Sequence, residues 1–173
     1  MTDKKRKRAV VLAANEYEDL ELWVPYLRLK EEGVIVQVAA AEGGTTYTSK
    51  HGYPVTSDVS AEDLNPNDID LVVIPGGYAP DHMRRNPKMV GLVRNIYENG
   101  GYVAFICHGG WMACSAKILK GKKATSFFAI RDDMENASAH WVDEEVVHES
   151  QLISSRTPAD LPAFCRELIK TVL

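Results

Sequence analysis

Apolar positions along the chain fall into short continuous runs separated by amphipathic stretches. Ala9 to Ala14, Val34 to Ala39, Leu71 to Ile74 and Tyr102 to Ile106 read as strands buried on both faces. Between the first two, Leu20, Trp23 and Leu27 recur at helical spacing until Gly33 ends the pattern. Pro87 to Glu98 reads as a second helix with Met89, Val90, Leu92, Val93 and Ile96 inward, stopped at Asn99-Gly100-Gly101. Thr45 to Thr48 favours a short strand, in a hairpin at a sheet edge. Past residue 120 the pattern predicts short strands at 123–126, 141–142, 146–147 and 152–154, and a short helix from Ala129 to Met134. The last helix is expected to start with Thr157 as N-cap and Pro158 in its first turn. Alternating strands and helices predict one α/β domain, a flavodoxin-like doubly wound sandwich with a mainly parallel central sheet. It spans residues 9–173, behind a basic N-terminal tail, residues 1–8.

Composition changes this picture little. A chain of 173 residues, 45% hydrophobic and 25% charged, suffices for one packed core. The net charge of −4 argues against nucleic acid as a partner. The basic run Lys4 to Arg8 reads as a solvated tail, with an anion-binding arm as the alternative. No apolar run reaches the length of a membrane helix, and no signal-peptide pattern follows the basic start. Three cysteines make no secreted disulfide framework. A cytoplasmic location is therefore expected. Histidine and cysteine spacings offer no metal site, and the glycine pairs do not form a dinucleotide fingerprint, so no cofactor is expected.

Candidate chemistry lies where the strands end. The strand Tyr102 to Ile106 stops at Cys107-His108-Gly109-Gly110, and a helix-compatible run follows. A nucleophile on a sharp strand-to-helix turn is a nucleophile elbow. The bland alternative for Cys107 is a small buried hydrophobe. The backbone N–H of His108 and a glycine N–H from Gly76-Gly77 would form an oxyanion hole. The alternative for that glycine pair is a tight turn. Glu18 lies just past the first strand, where a buried carboxyl would stay neutral and donate to the thiolate. Sequence physics does not choose between Glu18 and Glu16, and acidic residues there also suit a helix N-terminus. Asp81 would orient the His108 imidazole as the third group of a triad, or else cap a helix after Pro80.

These stretches resemble the PfpI-type cysteine peptidases and deglycases of the ThiJ/PfpI superfamily, which is similar to class I glutamine amidotransferases. The likeness rests on residues 14–19, 50–53, 75–81, 106–109, 132–134 and 154–161. It implies Cys107 as nucleophile, Glu18 as its carboxyl neighbour, and backbone N–H groups of Gly77 and His108 as the oxyanion hole. It also implies a homo-oligomer, a dimer or a hexamer built from dimers, in which the acid serving His108 comes across an interface. That acid falls at Asp81, an aspartate where the best-known pattern has glutamate. The Gly110-Trp111 pair departs from the more usual proline or small residue, and Trp111 would narrow the pocket or line an interface. The function implied first is a cysteine hydrolase of peptide or amide substrates. A glyoxalase or deglycase acting on methylglyoxal or glycated adducts is the alternative. A redox sensor or holdase chaperone is the non-enzymatic one.

Overall fold

The computed structural model describes residues 6–173. The strands are β1 Arg8–Leu12, β2 Ile35–Ala40, β3 Thr46–Thr48, β4 Pro54–Thr56, β5 Val59–Ser60, β6 Leu71–Ile74, β7 Tyr102–Ile106, β8 Lys123–Ala124, β9 His140–Trp141, β10 Val146–Glu149 and β11 Leu152–Ser155. The helices are α1 Asp19–Glu31, α2 Ala79–Arg84, α3 Pro87–Glu98, α4 Gly110–Ala116, α5 Arg131–Asn136 and α6 Leu161–Val172.

Among the described residues, seven strands form the main sheet in the order β10-β11-β7-β6-β1-β2-β5. All its pairings are parallel except β10 against β11. The apolar runs explain this. Central strands of a parallel sheet are covered on both faces, and Leu71–Ile74 and Val103–Ile106 have no exposed surface. Right-handed crossovers then fix the layers. From β1 the chain moves one way to β2 and later the other way through β6 to β7, so its helices lie on opposite faces. Accordingly α1 packs on α6, whereas α2, α3 and α4 pack on one another. The order reverses between β1 and β6. At such a switch point the loops at the carboxyl ends of neighbouring strands diverge and leave a crevice.

Four expectations change. The strand at 45–48 pairs with β4 in a separate two-stranded sheet, not at the main sheet's edge. In α1 the inward residues are Glu21, Leu22, Pro25 and Leu29, while Leu20 and Leu27 are 52% and 58% exposed. Thr157 makes no side-chain cap; a short turn, Pro158–Asp160, precedes α6. Arg156 holds that turn by two bonds to Asp160, of 2.9 and 3.0 Å. At the N-terminus, β1 takes in Arg8, Arg6 bonds the Gly33 carbonyl and Lys7 pairs with Asp70. Those side chains have partners on the folded domain, so the expected solvated tail does not extend to them. Lys4 and Lys5 lie outside the described residues. No described helix is long and apolar enough to cross a membrane.

Candidate active site

Three strand ends converge at the switch point. At the end of β7, Cys107 takes φ 60, a left-handed conformation rare for a residue with a side chain. The turn it begins, Cys107–Gly109, leads directly into α4. This is the expected elbow. It closes only because Gly109 has no side chain: a Cβ there would sit 2.6 Å from the Ile74 carbonyl oxygen.

The end of β6 supplies the second loop. Gly76 accepts a bond from the Glu18 N–H (3.1 Å), and Tyr78 donates its N–H to the Glu16 carbonyl (2.9 Å). Gly77 sits between them, bridged to Tyr17 and at φ +74. The N–H groups of His108 and Gly77 both point at the Cys107 sulfur and favour its anion. The two predicted oxyanion donors are thus brought together. Alanine at Gly77 would place its Cβ 2.3 Å from the Glu16 carbonyl oxygen, in a backbone conformation that side chains avoid. We expect Gly77→Ala to destabilise the fold by about 2 kcal/mol or more in denaturant unfolding, and to reduce turnover with it.

The third loop holds a correction. Glu18 does not face the sulfur; Glu21 does. Glu18 precedes α1, and its carboxylate pairs with the Lys50 ammonium at 2.5 Å. One turn further on, the same face of the helix turns inward. Glu21 is completely buried there. Its Oε2 accepts the Gly76 N–H at 2.7 Å. Its Oε1 is buried without a well-formed hydrogen bond, and the carboxyl interacts with the Cys107 thiol. Burial pushes the Glu21 carboxyl up to about 8. Burial first, and then the Glu21 charge, push the Cys107 thiol up to about 12. The second cause operates only once Glu21 is ionised, so the two groups titrate as a pair. Gly76 permits this contact. A Cβ on it would fall 2.5 Å from Glu21 Oε2 and 2.7 Å from Cys107 Cβ.

His108 lies beside the sulfur. Its ring folds back on its own neighbour, with Nδ1 3.3 Å from the Cys107 sulfur. The positive φ at Cys107 makes this approach available. Burial, followed by the Lys50 charge, lowers the imidazole pKa, so the ring is neutral near neutral pH. Within its own chain Asp81 does not hydrogen-bond the ring. In this chain Asp81 lies in α2 and is committed to Arg85 one turn on, the partner its helical spacing supplies. Among the described residues no carboxylate hydrogen-bonds the His108 ring.

Together these groups line a cavity of about 380 Å³ bounded by Glu16, Glu18, Glu21, Lys50, Gly77, Tyr78, Cys107, His108, Phe127, Thr157 and Pro158. Its bond to Glu18 raises the Lys50 pKa, which keeps that ammonium charged. Among the described residues, Glu18, Asp19 and His51 bring donor atoms within 4.8 Å of one another. Lys50, Ser49 and His51 already occupy these carboxylates.

Sequences of the DJ-1/PfpI family match residues 7–171. The chain belongs to the DJ-1/PfpI family. It is 48% identical to "Deglycase PfpI" of Pyrococcus furiosus over 163 residues, 94% of this chain and 98% of that one. It is 37% identical to "Putative cysteine protease YraA" of Bacillus subtilis over 161 residues, 93% of this chain and 95% of that one. In structure it is similar to a two-domain protein of Anabaena variabilis with DJ-1/ThiJ/PfpI-like and ferritin-like domains. That match has a TM-score of 0.94 at 38% identity, over 95% of this chain and 48% of that one. The flavodoxin-like sandwich expected from the sequence is the fold of this family.

Sequence reasoning missed Glu21 and Lys50. A usable signal existed for Glu21. It is four and eight residues before Pro25 and Leu29 and next to Leu22, all buried. A carboxyl on the buried stripe of a helix calls for a chemical explanation. Lys50 belongs to the loop between β3 and β4, and nothing local in the sequence aims it at Cys107.

Proposed function

We propose that the protein is a cysteine-dependent deglycase, which removes dicarbonyl adducts such as those of methylglyoxal from amines. The observation that carries this reading is the buried Glu21 carboxyl, protonated up to about 8, against the Cys107 thiol. Peptide hydrolysis needs a base and an oxyanion hole. A dicarbonyl adduct also needs a proton moved between two adjacent carbons, and a carboxyl held beside the sulfur suits that task.

The steps balance as follows. The Cys107 sulfur, its proton taken by His108, bonds to the aldehyde-derived carbon of the hemiaminal, the C–N bond breaks, and the amine leaves with the Glu21 proton, which leaves Glu21 as the carboxylate. The resulting hemithioacetal loses its C–H proton to the Glu21 carboxylate and regains one at the neighbouring carbon. The hydroxyl carbon is thereby oxidised to a thioester carbonyl and the ketone reduced to an alcohol, with no external oxidant. Water then cleaves the thioester to lactate and free thiol. The N–H groups of Gly77 and His108 steady the oxyanion of the last step, and His108 serves the sulfur and the attacking water as base. We take the reaction to be cytoplasmic, where unpaired thiols persist. A homo-oligomer remains part of the proposal, and a role for Asp81 would exist only across its interface.

The peptidase reading is second, favoured by the two N–H groups on the sulfur and by the relative named a putative cysteine protease. One comparison separates them. Purified protein is given methylglyoxal-modified N-acetyl-lysine and, separately, an unmodified peptide amide. We expect lactate and free N-acetyl-lysine in equal amounts from the first and no cleavage of the second. Cleavage of the peptide amide without lactate from the adduct would replace the deglycase by a peptidase.

A further inference from the structure

We propose that Trp111 and Phe127 are the positioning residues of His108, holding its imidazole by ring contacts in the role an acid plays in a triad. The Trp111 ring lies 5.1 Å from the imidazole at 62°, and the Phe127 ring 5.0 Å away at 32°. Each aromatic ring is itself held. The Trp111 indole N–H donates to Asp133 Oδ2 at 2.8 Å. The Arg84 guanidinium lies over Trp111 at 5.8 Å, and its Nε–H donates to Ser115 Oγ at 2.9 Å. On the other side, the Phe127 backbone N–H donates to the Cys107 carbonyl at 3.3 Å, and its ring packs on Phe128 at 4.6 Å.

A triad acid fixes one ring nitrogen by a hydrogen bond. Here two ring contacts restrain the imidazole instead. A quarter-turn about χ2 would swing Nδ1 away from the sulfur and give up both contacts; a half-turn keeps them but puts a carbon at the sulfur, so the 3.3 Å Nδ1–Sγ contact selects between the two orientations the rings allow. The same two rings keep water from the imidazole, which favours its neutral form. Asp133 acts at one remove: it fixes the indole, and the indole fixes the imidazole. The charged or titratable groups around His108 are the Cys107 thiol, with Glu21 behind it, Lys50 across the cavity, and Asp133 and Arg84 beyond Trp111. Those groups remain when either aromatic ring is removed.

The inference rests on the reading in which His108 serves Cys107, so its test includes a readout that needs no substrate. The His108 ring is titrated by NMR in wild type, Trp111→Ala, Trp111→Phe and Phe127→Leu, alongside methylglyoxal turnover. We expect Trp111→Ala and Phe127→Leu to raise the imidazole pKa by about half a unit or more as water gains access. Both should lower kcat about tenfold, with KM within about twofold. Trp111→Phe keeps a ring face and should recover most of both losses. If Trp111→Ala does not fold, Phe127→Leu and Trp111→Phe carry the comparison. An unchanged His108 titration in the truncated variants would overturn the proposal. So would a Trp111→Phe variant as impaired as Trp111→Ala. A wild type that turns over no dicarbonyl would instead overturn the deglycase reading, and the titration would still decide this one.

Discussion

Cys107→Ser is expected to lower turnover of dicarbonyl adducts by at least about 10³-fold while leaving the fold intact. The side chains are nearly the same size, and the elbow geometry at φ 60 depends on the backbone. What changes is the acidity of the nucleophile. A serine hydroxyl gives up its proton far less readily than a thiol, and its oxygen is the poorer nucleophile and leaving group. The other two cysteines lack the Cys107 setting. Neither the Cys114 nor the Cys165 sulfur meets the pair of N–H groups from two loops and the carboxyl that surround Cys107. Cys114 lies against α5, its sulfur 3.6 Å from the Asp133 carbonyl and 3.8 Å from the Met134 sulfur. Cys114→Ser and Cys165→Ser should therefore retain turnover within a few-fold. Steady-state kinetics of the three variants, with circular dichroism to verify folding, checks the contrast.

Glu21→Gln carries the second large effect. We expect kcat to fall by about 10²-fold or more, because glutamine neither takes the C–H proton nor returns it. The same variant should change how stability depends on pH, and the sign follows from the raised value. Unfolded, Glu21 releases its proton near 4.5; folded, it keeps the proton until about 8. Across that window the native state binds more protons than the unfolded state, so stability falls as pH rises. The stabilising effect of the retained proton is complete below 4.5 and lost through 8, a difference of a few kcal/mol. His108 contributes the opposite slope, because its lowered pKa makes the native state bind fewer protons just below the ordinary value of 6.5. The difference between wild type and Glu21→Gln isolates the carboxyl. Denaturant unfolding at pH 5, 7 and 8.5 should show the variant gaining on the wild type as pH rises. A constant gap between the two would mean that Glu21 is already ionised at pH 5.

Much of this fold is legible in the sequence because its central strands are buried on both faces. A run such as Leu71 to Ile74 then carries a nearly unambiguous pattern, and a glycine-rich strand end marks where the chain must turn. The elbow is legible for the same reason: strand, cysteine, glycines and helix follow one another locally. Glu21 is hard to single out because an acidic residue near a helix start equally suits capping, a setting it shares with Glu16 and Glu18. The spacing of Leu20, Trp23 and Leu27 marks a helix but not its inward face, which carries Glu21, Leu22, Pro25 and Leu29. Asp81 finds a partner one turn on, in Arg85, at a spacing the sequence already contains. The contacts of Trp111 and Phe127 with His108 join residues from the helix after β7 and the loop after β8. No local pattern encodes such an approach.

Which carboxyl shares its proton with Cys107 decides the chemistry of the site. The most direct test is the pH profile of Cys107 alkylation by iodoacetamide in wild type, Glu21→Gln and Glu18→Gln, read by peptide mass. If Glu21 is the partner, Glu21→Gln moves the apparent pKa of alkylation by more than about one unit, and Glu18→Gln moves it by less than about half a unit. A Glu18→Gln shift as large as or larger than that of Glu21→Gln would contradict the account.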